Sequence, residues 1–295
     1  MKFIRYEKAG KAEIGIFNQA ENGILPLSRI FPGFGIFIMQ QVIEGVGENE
    51  EHQLRQAYCG ETDCPVLPVG EVKLLAPIER PVHDILCVGV NYQDHREEAA
   101  EALSAFQAGP ETVYFTKRAI RILGSGEAIK ARTDLDEQLD YEVELAVIIG
   151  KEGKDIPADK AEEYIFGYSV FNDISSRRIQ NRHGQWFKGK SLDTYTAMGP
   201  VVLHKSALPF PVEADGKSFV NGEKRQDSNT RFFLADIPQI IEDLSKGMTL
   251  EPGDIIATGT PAGVGMGSNP PRFMKKGDEV VCEIPQIGRL INRVE

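Results

Sequence analysis

The stretch Tyr141–Gly150, YEVELAVIIG, places acids at every second position and then runs through five unbroken apolar residues, Leu145–Ile149. It is too short and too rich in β-branched residues for a helix, and reads as a strand closed by Gly150. The two-residue period puts Val143, Leu145, Val147 and Ile149 on one face, and Glu142 and Glu144 on the other. Two carboxylates then converge on one spot. Alternating charge on a solvent-facing strand is the simpler reading of that pair. Asp173 argues against it, because it ends a second apolar strand, FGYSVFND. Three carboxylates on buried strands repel unless a cation sits among them. All-oxygen ligation favours Mg²⁺ or Mn²⁺, with Ca²⁺ as a further alternative, over zinc.

The rest of the 295 residues reads as mostly β, an α+β body with a few helices. KFIRYEK and AEIGIFN are strand-like around Ala9-Gly10, and IFIMQQVIEGV is helical in pattern. Pro65, Pro68 and Pro77 mark a linker, dividing a small N-terminal domain (1–75) from a larger domain (76–295). HDILCVGV is a buried strand, followed by the helical NYQDHREEAAEALSAF. Asn221-Gly222 between strand-like flanks predicts a hairpin. Asp236 caps a helix striped by Ile237, Ile240, Ile241 and Leu244 and closed by Gly247. DIIATG, DEVVCEI and GRLINRV complete the strands.

Composition excludes several classes of function. Lys and Arg number 33 against 44 Asp and Glu, a net charge of −11, which argues against a nucleic-acid partner. No apolar stretch reaches membrane-spanning length and no signal-peptide core opens the chain, so the expected location is cytoplasmic with no membrane contact. Four cysteines in a chain this long are too few for a disulfide scaffold and have no zinc spacing.

His95 and Glu98 stand three apart on the predicted helix and can touch, the arrangement of an oriented general base; an exposed surface pair is the alternative. Arg177 and Gln180 follow Asp173 at helical spacing. Lys190 competes with Lys188 as the cation of an aromatic-flanked run, and each of these charges can equally be solvated. The loop GTPAGVGMG offers Thr260 and several backbone N–H groups as a carboxylate cradle. It is neither a P-loop nor a dinucleotide fingerprint.

Taken in order, these segments resemble the fumarylacetoacetate hydrolase family over residues 75–295. CVGVNYQDH ends in His95, with Glu98 as its acidic partner. DYEVEL spans Asp140–Leu145, GYSVFND ends in Asp173 before Arg177 and Gln180, GKSLD holds Lys190, and GDIIATGTPAGVG spans Gly253–Gly265. The resemblance implies a mixed β-roll or barrel catalytic domain, a homodimer, and one Mg²⁺ or Mn²⁺ on Glu142, Glu144 and Asp173. It implies a small anionic 2-oxo acid substrate. The expected reaction is C–C hydrolysis of an acylpyruvate, with His95, Glu98 and Lys190 catalytic and Arg177, Gln180 and Thr260 binding substrate. Oxaloacetate-type decarboxylation and isomerisation or hydration of an unsaturated 2-oxo diacid are the alternatives, and a silent scaffold the non-enzymatic one. Residues 96–112, Ala-rich with few large anchors, are expected to order over the site on ligand binding.

Overall fold

The computed structural model describes residues 1–33, 38–102 and 111–295, with the side chains of 101 and 102 left aside. Its centre is an eleven-stranded sheet. From one edge the strands run Leu67–Pro68, Gly23–Pro26, Lys11–Phe17, Lys2–Lys8, Thr196–His204, Ile165–Asp173, Val143–Ile149, Ile255–Ala257, Ile85–Gly89 and Val113–Lys117. The eleventh, Lys73–Leu75, pairs with Lys2–Lys8. Neighbours are antiparallel except Ile255–Ala257 beside Ile85–Gly89. The path is open rather than closed into a barrel.

A second sheet of five strands (Glu223–Asn229, Asp215–Val220, Glu279–Ile284, Gly288–Val294 and Ala128–Ile129) covers one face of the first. Its hairpin turns on Asn221 (φ 51°) and Gly222 (φ 79°), the left-handed pair that a two-residue turn requires.

Cover on both faces explains the unbroken apolar run. Val143, Leu145, Val147 and Ile149 join the core shared with the second sheet. Ala146 and Ile148 join a separate core with Phe3, Met39, Val42 and Leu54 from the N-terminal segment. Every residue of Val143–Ile149 is buried, which removes the alternative of a charged, solvent-facing strand.

The N-terminal segment belongs to the same sheet as the rest. Lys2–Lys8 pairs with Thr196–His204 in the register Phe3↔Val202. The proline-rich stretch expected as a linker supplies two short strands, with Leu67–Pro68 at the sheet edge, where a missing N–H costs no ladder bond. The helix expected in IFIMQQVIEGV spans Met39–Gly45, and 34–37 lie outside the described residues. No helix among the described residues is long and apolar enough to cross a membrane.

Helix Ile237–Ser245 starts with the expected cap. The Asp236 carboxylate accepts the Gln239 N–H at 2.8 Å, and the Gln239 side chain returns a bond to the Asp236 N–H at 3.0 Å. Asp236→Ala is expected to cost about 1 kcal/mol, read as a Tm lowered by about 2 °C in a thermal melt.

Candidate metal centre and active-site pocket

Strand register assembles the three carboxylates. Val143 pairs with Asn172 and Glu144 with Phe171, so Glu142 stands opposite Asp173. The Asp173 N–H donates to the Glu142 carbonyl at 2.9 Å, confirming that pairing. Side chains opposite each other share a face, and a period of two adds Glu144 to the same face. One oxygen of each carboxylate lies within 4.8 Å of the others, and all three residues are buried.

Cations surround two of the three. Lys190 Nζ donates to Glu142 Oε2 at 2.6 Å and to Asp173 Oδ2 at 2.8 Å. Arg177 Nη1 reaches Glu142 Oε1 at 2.7 Å. Lys117 Nζ pairs with Asp173 Oδ1. Glu144 accepts instead the Gly259 N–H at 2.8 Å.

The ionisation of the three acids diverges accordingly. Burial alone would raise Glu142, but Lys190 and Arg177 outweigh it and hold its pKa down at about 2. Burial, reinforced by the like charges of Asp173 and Glu142, pushes Glu144 well above the carboxylate range. Burial opposes the charge on Lys190, yet Asp173 and Glu142 together raise its pKa. The donor set fits a hard divalent cation. It is all oxygen and convergent, and the protein's own groups disfavour the ionised form of its third member, Glu144, which a cation would favour.

His95, on helix Gln93–Ala102, lines a pocket that Glu142 and Glu144 also line. Its Nδ1 meets Glu98 Oε2 at 2.9 Å, and the other Glu98 oxygen accepts the Gly263 N–H at 3.0 Å. The carboxylate keeps the ring proton on Nδ1 and leaves the Nε2 lone pair free. Both residues are largely shielded, which removes the exposed-pair alternative.

Glu98 also packs against Gly267, where a Cβ would overlap its carboxyl group. Gly267→Ala is therefore expected to displace Glu98 and release His95. Since a flexible side-chain end is what must move, Tm should stay within about 2 °C of the parent while turnover falls by about tenfold or more.

Arg177 stands with its Nε on Asp140 Oδ2 at 2.9 Å and its Nη1 also on Gln180 Oε1 at 3.1 Å. Its Nη2 is buried and has no hydrogen-bond partner among the described residues. Lys190 lines the pocket while the competing Lys188 is exposed.

The glycine-rich loop departs from expectation. Thr260 lines the pocket, but its hydroxyl donates to the Val143 carbonyl at 2.9 Å and accepts from Gln226 Nε2 at 2.7 Å. The N–H groups of Gly265 and Met266 go to Asp140 at 2.7 and 2.9 Å. With Gly259 on Glu144 and Gly263 on Glu98, the loop cradles the protein's own carboxylates. Of the segment 96–112, residues up to 102 are helical and 103–110 lie outside the described residues, as does the expected ordering there.

Lys117 and Asp140, both buried beside this centre, had no role expected from the sequence. The available signal for Lys117 was parity. It shares a strand face with Phe115, a pocket residue, on Val113–Lys117.

Comparison with known proteins agrees with this geometry. Residues 84–295 match the family described as fumarylacetoacetate (FAA) hydrolase C-terminal. Oxaloacetate tautomerase YisK of Bacillus subtilis (strain 168) is 47% identical over 226 residues, covering 77% of this chain and 74% of that protein. The structure of a fumarylacetoacetate hydrolase from psychrophilic Exiguobacterium antarcticum superposes with a TM-score of 0.83 at 37% identity, covering 100% of this chain and 99% of that one. Maleylpyruvate hydrolase from Sphingobium sp. SYK-6, in complex with manganese(II) ion and pyruvate, gives a TM-score of 0.77 at 27% identity, covering 100% and 98%. With its ordered motifs, its fold and a family match over more than two thirds of its length, the chain belongs to the fumarylacetoacetate hydrolase family.

Proposed function

We propose that this chain is a divalent-metal-dependent enzyme of 2-oxo acids that moves a proton at the carbon beside the 2-oxo group, with keto–enol interconversion of oxaloacetate as its reaction. The observation that carries this reading is the His95–Glu98 pair, pinned by the Gly263 N–H, with His95 sharing a pocket with Glu142 and Glu144, two of the three convergent carboxylates. The likeness to an oxaloacetate tautomerase supports it.

A divalent cation held by Glu142, Glu144 and Asp173 would supply Lewis-acid polarisation of the 2-oxo group. His95 Nε2 takes the C3 proton and delivers it to oxygen, or the reverse, while Glu98 stabilises the charged ring. Arg177 Nη2, which has no hydrogen-bond partner among the described residues, offers a donor to the substrate carboxylate, and Gln180 keeps the guanidinium in place. Lys190 offsets negative charge growing on the 2-oxo oxygen. This reaction asks for one base and no placed water.

Hydrolysis of an acylpyruvate is the second reading, favoured by the pocket wall. Val88, Val90, Phe115, Trp186 and Met266 line it, a surface suited to an apolar acyl tail. The same His95 would then deprotonate a water.

The test is a substrate panel with Mg²⁺ or Mn²⁺, following enol absorbance and pyruvate release together. Faster loss of oxaloacetate enol with pyruvate no faster than the blank supports tautomerisation. Pyruvate released from acylpyruvates supports hydrolysis. No metal-dependent turnover of any 2-oxo acid contradicts both.

A further inference from the structure

Two lysines meet Asp173, and their surroundings differ. Lys190 lines the pocket and touches both Glu142 and Asp173. Lys117 lines no part of it. It lies behind Asp173, fully buried, with Nζ on Asp173 Oδ1 and at 3.0 Å from the Ile174 carbonyl, 5.9 Å from the Phe171 ring centroid. The strand that carries it is fixed to Ile85–Gly89 in the register Ile85↔Lys117.

Burying an ammonium group is expensive, and an apolar side chain of similar length would fill the same space without that cost. The contacts give Lys117 a purpose. Lys190 bridges Glu142 and Asp173, and Arg177 is shared between Glu142 and Asp140. Lys117 touches Asp173 alone of the three convergent acids, on the oxygen that Lys190 does not take.

We propose that Lys117 is a positioning residue of the metal centre: it occupies Asp173 Oδ1, so that Asp173 turns its Oδ2 edge toward Glu142 and Glu144. The proposal rests on the metal-centre reading above. It assigns Lys117 no contact with substrate, and its effect runs through Asp173 alone.

The probe is Mn²⁺ alone, titrated into metal-stripped full-length protein by calorimetry, with circular dichroism as the check on folding. Lys117→Met is expected to weaken Mn²⁺ binding by about 10–100-fold, the range for losing an outer partner of a ligand. Lys117→Met binding Mn²⁺ within about twofold of the parent while folded would overturn the proposal.

Because that variant strands a buried carboxylate, the pair Lys117→Met with Asp173→Asn keeps the test open if the single variant does not fold. If Lys117 acts through Asp173, the pair binds Mn²⁺ no more weakly than Asp173→Asn alone, to within about twofold. A further loss of about tenfold in the pair places the action of Lys117 elsewhere and overturns the proposal. Failure of the parent to bind Mn²⁺ at all would instead sink the metal-centre reading on which it stands.

Discussion

His95→Asn is expected to lower turnover by ~10²–10⁴, the usual contribution of a positioned general base, and to leave Mn²⁺ affinity nearly unchanged. The separation follows from where the ring sits. His95 lines the pocket and bonds Glu98, while the three convergent carboxylates are Glu142, Glu144 and Asp173. Asparagine keeps a polar side chain toward Glu98 but has no basic nitrogen. Measured kcat and a calorimetric Mn²⁺ titration on the same preparation decide it. Full turnover in the variant would remove His95 from the chemistry.

Glu144→Gln is expected to abolish metal binding at working concentrations. Loss of an outer partner alone costs about 10–100-fold in affinity, and loss of a charged ligand should exceed that. Glu144 is the cleanest of the three to change. Glu142 holds Lys190 and Arg177, and Asp173 holds Lys117 and Lys190, so neutralising either takes a charged partner from two buried cations. Breaking a buried pair in this way costs up to about 3–5 kcal/mol. Glu144 has a backbone N–H, which a glutamine oxygen can still accept.

The stability effect should therefore take the opposite sign to the binding effect. Burial and two like charges disfavour ionised Glu144, so metal-stripped Glu144→Gln should melt at or above the parent temperature. Glu142→Gln should melt well below it. A Glu144→Gln protein that binds Mn²⁺ like the parent would refute its place as a ligand.

The carboxylate trio was legible because strand periodicity is local. Two acids two apart share a face whatever the fold, and only their burial was open. Asp173 joined them through a cross-strand register that its place at a strand end made plausible. Lys117 was not legible in the same way, since its role depends on pairing with Ile85, thirty-two residues earlier in the chain.

The glycine-rich loop shows a different limit. Sequence identifies N–H groups free to bind carboxylates, and the fold decides whose. Gly259, Gly263, Gly265 and Met266 all turn to Glu144, Glu98 and Asp140. The prolines near residue 70 read alike for a linker and for a sheet edge, because both dispense with a donor. Only the pairing of Leu67–Pro68 and Lys73–Leu75 distinguishes them.

The central claim is that three buried carboxylates hold a divalent cation on which turnover of a 2-oxo acid depends. The most direct measurement is the rate of oxaloacetate enol loss in protein treated with EDTA and dialysed, before and after Mn²⁺ is restored. The rate should fall to the uncatalysed level and return on addition of about one Mn²⁺ per chain, with no return in Glu144→Gln. An undiminished rate in the metal-free protein would contradict the account.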